Sequence, residues 1–261
     1  MHDVAFSIGG FQIYWYGILL ALGFYVGIRT ASLRGAGSGI GQETVADLGF
    51  WIFVGAIVGA RALYIASYWR EEFAGRPLWE VFALRRSGLV FYGGLIGASV
   101  ACILFTRLKN LPLWKLADVF APSIALGHAL GRLGCLMTGC CYGRECHLPW
   151  AIYFPPGHAT DGKVPVHPTQ LYESALNFAL FGALAWLYRR RKFDGQVFAT
   201  YLVAYAALRS FVELFRGDYQ THYLAGGVTP AHLVSVGIFV AGLALFGVLR
   251  AAKPAASAAH P

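Results

Sequence analysis

Residues 119–136 read VFAPSIALGHALGRLGCL. The run is nearly long enough to cross a bilayer as a helix, which takes about 20 apolar residues. Its one charged residue is Arg132. A charge at membrane depth costs about 2.5–3.5 kcal/mol on insertion scales, so the default reading is a functional one. Working outward, Arg61, Glu173, Arg209 and Glu213 lie inside similar apolar runs. Together they point to a polar pocket within a membrane domain. Arginines outnumber glutamates, so the pocket favours an anion.

The rest of the 261-residue chain agrees: 57% is hydrophobic and only 13% charged. A soluble domain carries about 25% charged residues. The net charge of +8 is assigned to cytoplasmic loops that hold topology, not to nucleic-acid binding. Seven spans are expected, at 11–28, 48–68, 89–105, 119–136, 169–187, 196–214 and 231–249. The Arg189-Arg190-Arg191-Lys192 run places the N-terminus outside and the C-terminus in the cytoplasm. No cleavable signal peptide is expected. The fold class is therefore an all-α membrane protein. It is read as one seven-transmembrane-helix bundle over 1–253, with a disordered tail at 254–261. Outer loops at 70–88 and 144–168 are expected to cover a central lipid-binding cavity. The pairs Gly23/Gly27, Gly55/Gly59, Gly93/Gly97 and Gly127/Gly131 read as close helix contacts.

The buried charges admit two readings each. Arg209 and Glu213 are four apart on one helix face, either a self-neutralising pair or an anion ligand with its orienting partner. Arg61 either snorkels to the interface or lines the pocket. Arg132, flanked by Gly131 and Gly134, offers the planar donor fork that matches phosphate. His167, Gln170 and Glu173 form a polar stripe at the mouth of the fifth span, although His167 also suits a simple cap. Cys135, Cys140, Cys141 and Cys146 cluster near the outer end of the fourth span. A disulfide or packing thiols are expected there. The C-x4-C-C-x4-C spacing is not a standard zinc pattern, and no metal ligand is assigned.

These motifs resemble prolipoprotein diacylglyceryl transferases along almost the whole chain. The matching residues are Tyr14-Trp15-Tyr16-Gly17, Gly59-Ala60-Arg61 with Tyr64, and Gly93-Gly94-Leu95-Ile96-Gly97. They continue with Gly131-Arg132-Leu133-Gly134, Gly139, Gly143 and the run from His167 through Pro168, Thr169, Gln170, Leu171 and Tyr172 to Glu173. Tyr205 with the segment from Arg209 through Glu213 to Arg216 completes the set. The resemblance implies transfer of the sn-1,2-diacylglyceryl group from phosphatidylglycerol to a lipobox cysteine of a prolipoprotein. A thioether forms and glycerol 1-phosphate leaves, with no external cofactor. It implies a bacterial inner-membrane enzyme with its active site toward the outer face. Arg132 and Arg209 would bind the phosphate, Glu213 would hold Arg209, and Tyr16 and Tyr205 would supply hydroxyl contacts. Gly143 would permit a turn above the cavity, which Arg61 and Cys135 would line.

The chain departs from the family pattern at four positions. Tyr92 stands where well-known members carry a histidine proposed as catalytic, Cys135 where asparagine is usual, Cys140 where an acid is common, and His232 where glutamine is frequent. A free tyrosine titrates near pH 10 and is a poor base at neutral pH. Tyr92, His167 and Glu213 thus remain the candidate bases. The alternatives to this enzyme are a paralogue with the same lipid donor and another acceptor, and a non-catalytic phospholipid-binding membrane protein.

Overall fold

The computed structural model describes residues 3–75, 77–82, 88–158, 160–217 and 229–252. The tail expected at 254–261, and Arg76, Arg85 and Arg86 of the expected 70–88 outer loop, lie outside the described residues. Among the described residues seven long helices follow one another: α1 (Trp15–Ala36), α2 (Gln42–Tyr68), α3 (Phe91–Leu108), α4 (Leu113–Thr138), α5 (Thr169–Arg190), α6 (Gln196–Glu213) and α7 (Pro230–Ala251). Each of the seven expected spans overlaps one of them. Many of their large apolar side chains face outward, among them Val58, Ile96, Val236, Val240 and Leu243. Buried positions hold Asp118, Glu173, Asn177 and Glu213. An apolar exterior around polar interior groups suits a hydrocarbon solvent, where exposed backbone and charge must be satisfied inside the protein.

Among the described residues, five helical stretches are long and apolar enough to cross a membrane: α1, α2 with its π-helical extension to Phe73, α3, α4 and α7. α5 and α6 do not reach that apolarity. The reason in α5 is a buried polar stripe of Thr169, Gln170, Glu173, Ser174 and Asn177. Ser174 donates to the Ala129 carbonyl of α4 at 2.9 Å, and Asn177 donates to the Glu173 carbonyl at 2.8 Å. α6 carries Arg209 and Glu213 in its last turn and a half.

The N-terminus corrects one expectation. Residues 11–14 do not begin a helix. They form strand β2 (Phe11–Tyr14), antiparallel to β1 (Val4–Ile8). The turn between them is Gly9-Gly10, both with positive φ, which suits a two-residue hairpin loop. Asp3 fastens the hairpin, accepting from Trp15 N through its carbonyl at 3.0 Å and meeting His158 Nε2 through its carboxylate at 2.8 Å.

The chain divides into two compact units. Residues 32–116 form one. There α2 and α3 meet through glycine: a Cβ on Gly59 would strike the Gly93 carbonyl oxygen, and one on Gly97 the Gly55 carbonyl oxygen. Arg61 in α2 donates to the carbonyls of Val81 at 2.9 Å, Gly88 at 3.3 Å and Glu80 at 3.4 Å. Its guanidinium also lies over the rings of Tyr64 and Phe73. It thus ties the described parts of the 70–88 connection to α2.

Residues 1–31 and 117–261 form the other unit. Gly23 and Gly27 of α1 lie against Gly127 and Ser123 of α4. Asp118, fully buried at the start of α4, accepts from Gly195 N at 2.8 Å and Phe198 N at 2.9 Å. A carboxylate on these free amides favours the N-terminus of α6. The 144–168 connection packs Phe154 and Val166 against Leu136.

Candidate active site

The second unit gathers most of the expected site residues. Arg132 of α4 reaches Glu173 of α5, Nε to Oε2 3.0 Å, with the carboxylate only 3% exposed. The Tyr205 hydroxyl of α6 lies within hydrogen-bonding reach of Arg132, and its ring packs on His128, centroids 4.9 Å apart. Four residues along α6, Arg209 Nη2 meets Glu213 Oε2 at 2.7 Å. Arg216 Nε lies 3.9 Å from the same oxygen. Thr229 donates to Glu213 Oε1 at 2.8 Å while its hydroxyl caps α7, accepting from His232 N. Glu213 therefore joins the end of α6 to the start of α7. Arg209 Nη1 is buried and has no hydrogen-bond partner among the described residues.

The loop after α4 carries the remaining parts. Gly143 pairs with Arg216 as an isolated antiparallel bridge. Its amide donates to the His167 carbonyl at 3.0 Å, and the Arg144 amide to the Phe215 carbonyl at 2.8 Å. A Cβ at Gly143 would sit 2.5 Å from His167 Cβ and 2.7 Å from the carbonyl oxygens of His167 and Phe215. None of these is a flexible side-chain end. Gly143→Ala is therefore expected to cost about 1–3 kcal/mol, the range for overpacking a tight site. A fall in the thermal unfolding midpoint of the detergent-solubilised protein checks this.

The His167–Glu173 motif holds the loop in place. Thr169 Oγ1 donates to the Cys141 carbonyl at 2.7 Å and Gln170 Nε2 to the Cys140 carbonyl at 2.7 Å. His167 Nδ1 is 3.1 Å from the Tyr172 hydroxyl, which also accepts from Trp150 Nε1 at 2.7 Å. Tyr16 of α1 packs its ring over Gly134, where a Cβ would approach Tyr16 Cδ2 to 2.8 Å.

Of the two arrangements expected, a disulfide or unbridged thiols, the structure has the second: all five cysteines are free thiols. They do not act as one group of four. Cys146 is buried and its sulfur accepts from Leu148 N at 3.4 Å. The sulfurs of Cys135, Cys140 and Cys141 lie within 4.8 Å of one another. Hydrogen bonds from Cys135 and Cys140, then the guanidiniums of Arg216 and Arg132, hold the Cys141 thiol below the usual thiol range. Arg61 and Tyr92 belong to the 32–116 unit; Tyr92 is exposed in the first turn of α3.

Two contributors were not singled out from the sequence: Thr229 anchors Glu213, and Asn177 extends the α5 stripe. Arg216, named only as the end of the matching segment, stands at the edge of the Glu213 cluster. The periodic signal for Asn177 was present, four residues beyond Glu173. Thr229 followed by Pro230 also carried a helix-start signal.

Apolar-faced helices around two buried arginine–glutamate pairs define an integral membrane protein. The family model for prolipoprotein diacylglyceryl transferase matches residues 3–248, and the chain belongs to that family. It is 41% identical to the phosphatidylglycerol–prolipoprotein diacylglyceryl transferase of Finegoldia magna, over 94% of each chain. It is 38% identical to the enzyme of that name from Geobacter sulfurreducens, over 93% of each. With that from Bordetella avium it shares 36% identity over 93% of this chain and 92% of the relative.

Proposed function

We propose that this protein transfers the sn-1,2-diacylglyceryl group of phosphatidylglycerol to the lipobox cysteine of a prolipoprotein, giving a thioether and glycerol 1-phosphate. The observation that carries this reading is the pair of arginines, Arg132 within hydrogen-bonding reach of Tyr205 and Arg209 four residues further along α6, each held by a buried carboxylate. Preorganised cations in a site shielded from water stabilise charge developing on a leaving phosphate. Arg132 and Arg209 bind that phosphate, Glu213 sets the plane of Arg209, and Tyr16 and Tyr205 supply hydroxyl contacts. Gly143 lets the loop above the site close on His167, and Cys135 lines the path of the lipid.

α5 and α6 span the membrane with the five apolar helices, their polar faces turned inward. The N-terminus lies outside and the C-terminus in the cytoplasm of a bacterial inner membrane. The site then opens toward the outer face, where lipobox cysteines emerge.

The test uses the purified full chain, phosphatidylglycerol labelled in its acyl chains, and a lipobox peptide. Label is expected to move to the peptide with release of glycerol 1-phosphate, and not to a Cys→Ser peptide. Lipid turnover that never labels the peptide overturns the reading.

Glu213 is engaged by Arg209 and Thr229, and His167 Nδ1 by Tyr172. Tyr92→Phe is expected to leave the transfer rate within about threefold, because a general base contributes about 10²–10⁴-fold. A loss of that larger size would make Tyr92 the base.

A further inference from the structure

We propose that Cys135, Cys140 and Cys141 form a binding site for a thiophilic divalent cation, zinc(II) foremost, with the incoming substrate thiol as its fourth ligand. The second half of this inference rests on the transferase reading.

Sulfurs bound at about 2.3 Å to a tetrahedral zinc ion lie about 3.8 Å apart. The three sulfurs here already lie within 4.8 Å of one another, so each pair needs to close by at most about 1 Å to meet that spacing. The backbone supports the cluster at some expense. Cys141 has φ of 63°, a left-handed conformation that costs a non-glycine residue about 1–2 kcal/mol. Strain of this kind persists where surrounding structure imposes it, and it concentrates at functional positions. Here the imposing contacts are identified: Gln170 on the Cys140 carbonyl, Thr169 on the Cys141 carbonyl, and Cys140 N on the Cys135 carbonyl at 3.2 Å. They fix the loop that presents the thiols, as outer partners fix the ligands of a metal.

The donor set selects the cation. Thiolates suit zinc and soft ions over magnesium or calcium. Three protein ligands leave one tetrahedral position open, the pattern of catalytic rather than structural zinc. Cys140 stays exposed to admit a partner. Three thiolates with a divalent cation keep a residual negative charge, and the nearby guanidiniums of Arg216 and Arg132 balance it.

The open position answers the need for a nucleophile. A thiol that coordinates such a cation is deprotonated outright, and its proton passes to water. The sulfur lone pair then forms the C–S bond to the glyceryl carbon. The C–O bond to phosphate breaks, and its electron pair leaves with glycerol 1-phosphate between Arg132 and Arg209. Nothing is oxidised or reduced, and no protein base is required.

The test begins with the full chain in detergent, reduced under anaerobic conditions and titrated with cobalt(II) as the probe. One equivalent is expected to give sulfur-to-cobalt charge-transfer absorption with tetrahedral d–d bands, displaced by zinc. Absence of those bands in the wild-type protein overturns the site without recourse to any variant. So does an intramolecular disulfide among these three cysteines in protein alkylated directly in the membrane. Cys135→Ser, Cys140→Ser and Cys141→Ser should each weaken zinc binding by more than the 10–100-fold that loss of an outer partner costs. Cys146→Ser should bind as wild type; equal weakening there would place the metal elsewhere. Adding a lipobox peptide should shift the cobalt spectrum, and a Cys→Ser peptide should not. Undiminished transfer by zinc-free protein overturns the metal's role while leaving the transferase reading intact. Tight cobalt binding without transfer under any loading overturns the transferase reading and leaves the site.

Discussion

Arg132→Ala is expected to lower transfer by at least about 10²–10³-fold, the loss that follows removal of one preorganised donor to developing negative charge. The variant also leaves Glu173, almost fully buried, without its cation. Breaking a buried pair from one side costs about 3–5 kcal/mol, so lost activity alone would not separate phosphate binding from lost stability. Arg132→Ala combined with Glu173→Gln removes that ambiguity. The double variant no longer buries an unpaired charge and is expected to recover most of the thermal midpoint lost by the single one. Its transfer rate is expected to stay at the single variant's level. Recovery of activity along with stability would reduce Arg132 to a counter-ion for Glu173, and the phosphate would then need another ligand.

The contrast between the two arginine pairs shows what one sequence makes legible. Arg209 and Glu213 share a helix face by spacing, so their pairing could be expected from α6 alone. Arg132 and Glu173 lie on different helices with a long connection between them, and only tertiary packing brings them to 3.0 Å. The helices themselves were legible because apolar runs of membrane length are among the strongest sequence signals. The hairpin before α1 was not read, although Gly9-Gly10 between two alternating stretches marked it; the adjoining apolar run masked the turn. The lower apolarity of α5 has the same origin as its function, since each polar residue in its stripe serves an interior contact. Asp118 sits at the edge of an apolar run, where a loop charge and a buried cap look alike. For the cysteines, spacing does not separate the four; the fold withdraws Cys146 and brings the other three together through one left-handed residue.

Arg209→Lys asks whether the second arginine supplies only charge. A lysine at 209 keeps a cation beside Glu213, so the link from α6 through Glu213 to Thr229 survives and the thermal midpoint should barely move. It cannot reproduce the fork. Arginine spends Nη2 on Glu213 at 2.7 Å and keeps a buried Nη1 with no partner among the described residues; an ammonium held by the carboxylate has no second planar donor to aim at phosphate. A hydrogen bond to a charged group contributes about 1.5–3 kcal/mol, which corresponds to about a 10–150-fold loss in kcat/KM. If the donor acts on the departing phosphate, kcat should carry most of that loss; if it acts equally on bound phosphatidylglycerol, KM should carry it. Full activity of the lysine variant would show that net charge suffices at this position. It would also shift the geometric demand onto Arg132, whose side chain approaches the site from α4 through Nε and Glu173.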